Sequence, residues 1–387
     1  MESKKVNILI FTPYYLPGYK AGGPIRSLTN LVDSLGDNFQ FRIITSDREF
    51  RSVELYKGVI ADEWNSMGKA DVFYCSPKNQ NLHFYKKLIK ETPHDIIYLN
   101  SFFEFRFTIL PLLLYKFNFI DNSKMILAPR GELSPGALNI KKIKKKLFII
   151  FSVITGLYDN IIWHASNNYE ETHIRNIFGK SANVRKAINI SSVPSGIPKK
   201  GIRKRAGKIK IIFLSRISNK KNLDGALKIL KDIKGEVIFD IYGPIEDRNY
   251  WIRCEKLISG LQENVQAVYK GIIPYSNVQK VISNYHLFFL PTKAENYGHV
   301  IFEALSVGCP VLISDQTPWK NIEINGAGFI CSLDNDKKFI TDINKILNMD
   351  EASYRMLSIK VMEYANDIMS SDESIEKNRE LFDKMYK

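Results

Sequence analysis

The 387-residue chain carries 55 Lys and Arg against 41 Asp and Glu, which gives a net charge of +14 and a pI near 9.3. Its hydrophobic content of 45% is ordinary for a globular protein and excludes a disordered chain, and the length favours two domains. The basic excess favours an anionic partner such as a nucleotide, a nucleic acid or a membrane surface. The four cysteines show no CxxC spacing, which argues against a zinc site or a disulfide framework, and we expect them to be buried.

Strands and helices alternate in the N-terminal half. Strands are predicted over 6–11, 41–46, 95–100 and 124–129, and an amphipathic helix over 25–35. This alternation predicts parallel βαβ units that bind ligands at the carboxyl ends of their strands. The chain opens without a signal-peptide pattern, and no apolar run reaches the roughly 20 residues that span a bilayer, so we expect a cytoplasmic protein.

A polar, basic stretch at 199–210 interrupts the alternation. Further strands are predicted over 211–215, 237–243, 266–271, 286–291 and 310–314. The pattern predicts an α/β protein with two doubly wound, Rossmann-like domains facing a cleft. The predicted boundaries are 1–195 for the N-terminal domain, 196–209 for the basic linker, 210–365 for the C-terminal domain and 366–387 for a C-terminal helix.

The segment AENYGHVIFEALSVGCPVLISD (294–315) is the most informative in the chain. It predicts a loop carrying Glu295, a helix from about 298 to 307 and a stop at Gly308, where a left-handed residue ends a helix. The first amides of this helix would favour a phosphate. Glu303 lies in the apolar part of the helix. It either faces solvent at a helix edge or is buried against donors such as the hydroxyls of a ribose.

This segment resembles the conserved block of retaining GT-B glycosyltransferases, the glycosyltransferase family 4 or glycosyl transferases group 1 type. The family's pattern is a Pro-Ser/Thr strand end followed by E-N-F/Y-G, E-A-L/M and G-x-P-V. The matching residues are Pro291, Thr292, Glu295, Asn296, Tyr297, Gly298, Glu303, Ala304, Leu305, Gly308, Pro310 and Val311. The resemblance implies two facing Rossmann-like domains and a C-terminal helix that crosses back to the N-terminal domain.

The same resemblance assigns roles to the donor side. It implies that Glu303 binds the ribose, and that Glu295 binds the transferred sugar with help from the amides of Asn296, Tyr297, Gly298 and His299. Arg216 and Lys221, in FLSRISNKKNLD (213–224), are similar to the family's cationic pair on the donor diphosphate. The remaining donor-side candidates are Tyr242 and Gly243, which follow a strand, and Gly22 and Gly23, which lie in a glycine-rich loop near the donor phosphates.

The acceptor side is predicted from two weaker matches and from one position at which the chain departs from the family. APRGELSPGAL (128–138) is similar to a segment of some relatives and makes Arg130 and Glu132 acceptor-side candidates, with a structural Arg–Glu pair as the alternative. HASNNYEET (164–172) resembles the family's H-A-T-S-x-x-E element and adds His164. Many relatives carry a histidine where this chain has Asn100. An amide cannot titrate, so Asn100 keeps only a hydrogen-bonding role toward a sugar.

The family resemblance implies a retaining hexosyltransferase that moves a sugar from a nucleotide sugar to a saccharide acceptor, here expected to be lipid-linked, in bacterial O-antigen or capsule synthesis. The leaving phosphate is thought to help deprotonate the acceptor. We find neither a metal-ligand cluster nor a DxD element in a suitable loop, so no cofactor and no metal ion are expected. The lysine-rich apolar stretch at 139–151 suits attachment to the anionic inner face of the cell membrane, with a solvated helix face as the alternative.

Two other classes of protein remain as rivals. A nucleotide-sugar epimerase has a similar two-domain fold, and it would form product without an acceptor. A nucleic-acid-binding protein would account for the positive charge, but the chain contains no recognisable recognition motif or stacking-aromatic module. We therefore expect no nucleic acid partner.

Overall fold

A computed structural model describes residues 5–120, 123–139, 141–191, 202–370 and 373–386. The chain divides into an N-terminal unit, residues 1–190 with 372–387, and a C-terminal unit, residues 191–371. Residues 196–201 of the predicted linker lie outside the described residues, and residue 208, also assigned to the linker, already begins a strand. The four cysteines are free and buried, as predicted.

The N-terminal unit is built around an eight-stranded sheet. Its strands are β1 (Val6–Phe11), β2 (Phe39–Ser46), β3 (Trp64–Met67), β4 (Ala70–Cys75), β5 (Ile96–Asn100), β6 (Lys124–Ala128), β7 (Ile162–Ala165) and β8 (Val184–Lys186). Its helices are α1 (Gly23–Leu35), α2 (Leu82–Glu91), α3 (Leu110–Lys116), α4 (Pro135–Leu138), α5 (Lys142–Ile154) and α6 (Asn168–Phe178). The strand order is β3-β4-β2-β1-β5-β6-β7-β8, and only β3 pairs antiparallel among these strands.

The C-terminal unit has a six-stranded parallel sheet. Its strands are β9 (Lys208–Leu214), β10 (Glu236–Tyr242), β11 (Val265–Gly271), β12 (Leu287–Leu290), β13 (Val311–Ser314) and β14 (Gly328–Cys331). Its helices are α7 (Leu223–Leu230), α8 (Arg248–Ser259), α9 (Val278–Ile282), α10 (His299–Ser306), α11 (Asp336–Leu347) and α12 (Glu351–Ser370). The order β11-β10-β9-β12-β13-β14 is the doubly wound 3-2-1-4-5-6 order, which reverses between β9 and β12.

The core strands explain why the sequence forms these sheets. β12 (LFFL) and β13 (VLIS) are buried along their whole lengths, as continuous apolar runs in a parallel sheet covered on both faces must be. The strands missed from the sequence are β3, β4, β7, β8 and β14, most of them short or at an edge. β3 (WNSM) is half exposed, so it shows little of the apolar pattern on which the prediction relied.

The last helix, α13 (Glu373–Tyr386), belongs to the N-terminal unit. The ring of Phe382 is buried between Phe39 and Tyr98, with ring centroids 5.5 and 5.6 Å away. Asn378 donates through Nδ2 to the carbonyl of Ile188, at 2.6 Å. The C-terminal helix therefore packs against the N-terminal unit, as the family resemblance implied.

Candidate active site

A cluster of charged residues lies at the carboxyl edge of the C-terminal sheet, where the strand order reverses. β9 leads into Arg216, Lys220 and Lys221, and β12 leads into Glu295. Lys221 Nζ and a carboxylate oxygen of Glu295 form an ion pair that is largely shielded from solvent. Doubly wound proteins bind ligands at this type of crevice, because two neighbouring loops diverge there.

Backbone hydrogen bonds fix the two loops against each other. The carbonyl of Lys220 accepts from the amide of Lys293 at 2.8 Å and from the hydroxyl of Thr292 at 3.1 Å. Asn222, at the start of α7, donates through Nδ2 to the carbonyl of Pro291 at 2.9 Å. The cations and the carboxylate are therefore held in place before any ligand arrives, which is the condition for electrostatic preorganisation.

Burial and the neighbouring positive charges shift the pKa of Glu295 in opposite directions. Burial raises the pKa of its carboxyl group, but Lys221, Lys220 and Arg216 outweigh that effect and the net pKa is lower than usual. Glu295 is therefore an anion at neutral pH. In the same cluster, burial and then the charge of Lys221 lower the pKa of Lys220 to about 8. The cluster thus contains one ammonium group that titrates near physiological pH.

Arg216 follows β9 and is more exposed than Lys221. Its Nη1 donates to Oε1 of Glu246 at 3.1 Å. Because this pair is partly solvated, a more strongly charged anion can replace the carboxylate at small cost.

The loop and helix of the sequence motif form as predicted, with α10 from His299 to Ser306 and Gly308 left-handed at φ +73°. Gly298 begins the helix at φ +81°, and a Cβ atom there would lie 2.9 Å from Cγ of Glu295. Glu303 is only 4% exposed. The solvent-facing interpretation of Glu303 is therefore wrong, and its carboxylate lies inside the domain.

The remaining residues of this loop are ordered by aromatic contacts. The carbonyl of Tyr297 accepts a hydrogen bond of 2.5 Å from Nε1 of Trp319, and its hydroxyl bonds to Ser191. The rings of Tyr297 and His299 lie 4.8 Å apart. Asn296 precedes Tyr297 in the same loop, so all the motif residues at 295–299 lie together next to α10.

Tyr242 is the last residue of β10 and Gly243 follows it, beside the strand that leads to Arg216. The hydroxyl of Tyr242 lies 3.2 Å from that of Tyr285. Gly243 has φ +132°, and a Cβ atom there would lie 1.9 Å from the carbonyl oxygen of Ser215. Glycine is therefore required at 243 by the close approach of two strand ends, whatever its role toward a ligand.

In the N-terminal unit, three of the predicted acceptor-side residues, Asn100, Arg130 and His164, belong to a network centred on Arg130. Its guanidinium donates to Oδ1 of Asn100 at 2.8 and 3.0 Å, to Oδ1 of Asn189 at 2.6 Å and to the hydroxyl of Tyr98 at 2.8 Å. Nδ1 of His164 bonds the same hydroxyl at 2.6 Å, and Nε2 lies 2.8 Å from the carbonyl of Ala187. Burial, then Arg130, lowers the pKa of His164 to about 3, so its ring is neutral.

Glu132 is not the partner of Arg130 in the described residues, so the proposed Arg–Glu pair is wrong. Its Oε2 accepts from the amides of Phe102 and Phe103, at 2.6 and 2.9 Å, and its carboxylate accepts from the hydroxyl of Ser101. Burial raises its pKa, although these hydrogen bonds lower it. Glu132 therefore stabilises the backbone of residues 101–103, directly after β5.

The glycine-rich loop before α1 and the side chain of Asn100 each leave room for a contact with a ligand. Gly22 is left-handed at φ +75° and Gly23 begins α1, and a Cβ atom at either residue would meet no atom within 4 Å. The open space leaves room for a ligand near this loop. Asn100 is 2% exposed, and its Nδ2 has no hydrogen-bond partner among the described residues.

Sequence reasoning missed Lys220, although it is adjacent to Lys221. The family pattern names one lysine, and nothing in NKK indicates that both lysines belong to the cluster. Among the described residues, no group of three His, Cys, Asp or Glu side chains is placed to hold a metal ion. Over the same residues, every helix is too short or too polar to cross a membrane.

A protein family model matches most of the C-terminal unit. Residues 197–359 match the family model described as glycosyl transferases group 1. The chain is 24% identical over 271 residues to an uncharacterised 41.2 kDa protein in the cps region of Klebsiella pneumoniae, covering 66% of this chain and 70% of that protein. It is also 24% identical over 270 residues to the GtfA subunit of the Streptococcus agalactiae UDP-N-acetylglucosamine–peptide N-acetylglucosaminyltransferase, covering 60% of this chain and about half (51%) of that relative.

Solved structures share the fold over nearly the full chain. Sucrose-phosphate synthase from Thermosynechococcus elongatus has a TM-score of 0.73 at 13% identity and covers 99% of both chains. Anabaena HepE in complex with UDP and glucose has a TM-score of 0.66 at 14% identity, covering 98% of this chain and 99% of that one. WaaG, a glycosyltransferase involved in lipopolysaccharide biosynthesis, has a TM-score of 0.66 at 12% identity, covering 98% and 100%. The fold is thus GT-B, with two Rossmann-like domains.

Proposed function

We propose that the chain, whose residues 197–359 match the glycosyl transferases group 1 model, is a glycosyltransferase that uses a nucleoside diphosphate sugar as donor. The sugar passes to a saccharide acceptor, with retention of configuration, during assembly of a bacterial surface polysaccharide. The relative from a cps region supports the pathway, and the neighbour with bound UDP and glucose supports the donor class.

The observation that carries the proposal is the Lys221–Glu295 ion pair with Lys220 and Arg216 around it. In the reaction the bond between the sugar and the diphosphate breaks, and negative charge grows on the departing phosphate. Lys221 and Arg216 neutralise that charge, and Lys220 adds a third cation. Groups fixed in advance do this without reorganising during the reaction, which is why such clusters accelerate transfer.

Glu295 binds the transferred sugar and takes no part in proton transfer. Its lowered pKa keeps it ionised at neutral pH, so it accepts hydrogen bonds from sugar hydroxyls and does not act as a general acid. The acceptor oxygen forms its bond to the sugar on the face from which the diphosphate leaves, and the proton of that hydroxyl passes to the leaving phosphate. Lys221 orients the carboxylate in the absence of donor, as the ion pair indicates.

Glu303 binds the ribose of the donor. Its side chain is 4% exposed and therefore ordered within the domain, and a charged acceptor of this kind binds both hydroxyls of a ribose in a bidentate manner. The first amides of the eight-residue helix α10 lie close by in sequence and favour a phosphate group. Tyr242 and Gly243 contribute to the side of the site nearest the base.

On the acceptor side, Asn100 is the residue best suited to a direct contact. Its Oδ1 is occupied by Arg130, while Nδ2 is a buried donor with no partner among the described residues. A sugar hydroxyl is an acceptor that would satisfy it. Arg130 and His164 are positioning residues, since their printed hydrogen bonds hold Asn100 and Tyr98 within the domain.

The acceptor is a lipid-linked saccharide at the inner face of the cell membrane, and α5 is the membrane-contacting element. Exposed apolar side chains follow one face of this helix, from Ile143, which is 77% exposed, to Ile154, which is 80% exposed. Leu147, Ile150 and Phe151 complete the face. Exposed lysines at 142, 144 and 146 flank it, and the buried Ser152 lies opposite. A basic helix with an exposed apolar face is typical of binding to an anionic bilayer.

Co-sedimentation with vesicles tests the membrane contact. The wild-type chain should pellet with vesicles containing phosphatidylglycerol, and less as salt is raised. Leu147→Asp should abolish pelleting without loss of thermal stability, since the side chain is exposed. The matched control is Val53→Asp, which alters another exposed apolar residue of the same unit. Absence of binding by the wild type at low salt, or equal effects of both variants, contradicts this contact.

A donor screen tests the proposed function. Purified protein is incubated with a panel of nucleoside diphosphate sugars, with and without a bacterial lipid-linked oligosaccharide extract, and the products are followed by mass spectrometry. One donor should release its nucleoside diphosphate faster when the extract is present. An isomerised nucleotide sugar formed without any acceptor would instead indicate an epimerase.

A further inference from the structure

A cavity in the N-terminal unit lies at the carboxyl ends of β1, β2, β4 and β5, apart from the Arg130 network. Its volume is about 230 Å³, roughly that of eight water molecules, which suits a single sugar unit. The charged and amide side chains that line it are Arg48, Glu49, Arg51, Gln80, Glu104 and Arg106. The loops that follow four separate strands therefore bring three guanidinium groups to one cavity.

The two carboxylates of the lining are engaged by the backbone. Glu49 accepts from the amides of Tyr19, Lys20 and Phe50, at 2.8, 3.2 and 2.7 Å. Glu104 accepts from the amide of Phe107 at 2.6 Å, and burial raises the pKa of its carboxyl group. Their oxygens are directed to loop and helix amides, so they neutralise the arginines only in part.

Arg106 is the guanidinium most available to a ligand. Its Nη1 donates to Oε1 of Gln80 at 2.7 Å, and no carboxylate lies within ion-pair distance of it in the described part of the chain. Gln80 is buried and is itself fixed by a 2.8 Å hydrogen bond from its Nε2 to the carbonyl of Cys75. Gln80 thus orients Arg106, while no hydrogen bond from its remaining N–H groups occurs among the described residues.

The other two arginines complete a positive rim. Arg48 makes a bidentate pair with Asp47, at 2.7 and 3.0 Å, and its charge is therefore largely compensated. Arg51 is exposed and has a left-handed backbone at φ +59°, a conformation that arginine rarely adopts and that is enriched at ligand sites. The guanidinium group of an arginine is planar and can donate two parallel hydrogen bonds to the oxygens of a carboxylate or a phosphate.

We infer that this cavity binds an anionic group of the acceptor, a carboxylate or a phosphate, with Arg106 as the main contact for that group, while Asn100 contacts another part of the acceptor. The inference rests on the proposed function, since it names the chemistry of the acceptor in that reaction. It makes Arg106 a specificity-determining residue, because an uncharged saccharide would leave its N–H groups without an acceptor.

Ligand-observed NMR titration of the full chain tests this directly. The probes are glucuronate for a carboxylate and glucose 6-phosphate for a phosphate, with glucose as the uncharged reference. At least one anion should bind about tenfold or more tightly than glucose, and Arg106→Ala should remove that difference. Arg106→Lys, which keeps the charge but not the fork, should give an intermediate value. Arg185→Ala is the control, because it removes an exposed charge of the same unit outside the cavity.

The two anionic probes distinguish two kinds of acceptor. Tighter binding of glucuronate indicates an acidic sugar, and tighter binding of glucose 6-phosphate indicates a phosphorylated sugar. Equal binding of all three probes overturns the inference, as does an equal loss in Arg106→Ala and Arg185→Ala. Displacement of the bound anion by UDP also overturns it, because the arginines would then serve the donor. UDP binding is measured in the same samples. A wild-type chain that binds no UDP would contradict the proposed donor, whatever the anion titration gives.

Discussion

The two units share a doubly wound strand order but arrange charge differently at the carboxyl edge. In the C-terminal unit, the loops after β9 and β12 bring Lys220, Lys221 and Glu295 into one compact cluster, fixed by hydrogen bonds between the loops. In the N-terminal unit, four loops contribute to an open cavity, and its carboxylates are directed to backbone amides. A compact cluster suits charge that develops during a reaction, whereas an open cationic rim suits binding of a charge already present.

The largest effect should come from Glu295→Gln. Transfer should slow by about 10²–10³-fold, because the neutral amide neither orients Lys221 nor accepts as strongly from the sugar. Steady-state transfer with the donor found in the screen measures it. The control is Glu236→Gln, which breaks an ion pair with Lys208 at the opposite edge of the same sheet. Equal rates for the two variants would mean that the cluster has no special role.

Gly298→Ala should have an intermediate effect. Alanine at φ +81° costs about 1–2 kcal/mol in backbone energy, and its Cβ atom would crowd Ile301 and Glu295 at 2.8 and 2.9 Å. Gly271→Ala is matched to it, with φ +84° and no atom within 4 Å. Both variants should lower the free energy of unfolding, but only Gly298→Ala should slow transfer. If both slow transfer alike, backbone strain rather than displacement of Glu295 is responsible.

The smallest effect concerns pH. Lys220 has a pKa lowered to about 8, so it loses its proton as pH rises from 7 to 9, and its attraction for a diphosphate is lost over that range. UDP affinity, measured by calorimetry, should fall about three- to fivefold, the size of a partly solvated ion pair. Lys220→Gln should flatten the profile, and Lys208→Gln should retain it. An unchanged profile in Lys220→Gln would remove Lys220 from the site.

The difference between the units also explains what the sequence could predict. Glu295, Gly298 and Glu303 lie within nine residues, so one motif identified the loop, the helix and the buried carboxylate together. Arg48 and Arg106 come from loops 58 positions apart, and only the sheet order brings those loops together. The pair between Lys221 and Glu295 was likewise not predicted, because periodicity and spacing carry no information on which loops meet.

The most direct test of the account is UDP binding and sugar transfer by Glu303→Ala and Arg216→Ala beside the wild-type chain. Glu303 is buried and Arg216 is partly exposed, so loss of folding cannot explain a common defect if Arg216→Ala keeps the wild-type melting temperature. Both variants should bind UDP and transfer sugar at least about tenfold less well than the wild type. Undiminished binding and transfer in both variants would contradict the assignment of the donor site to the C-terminal unit.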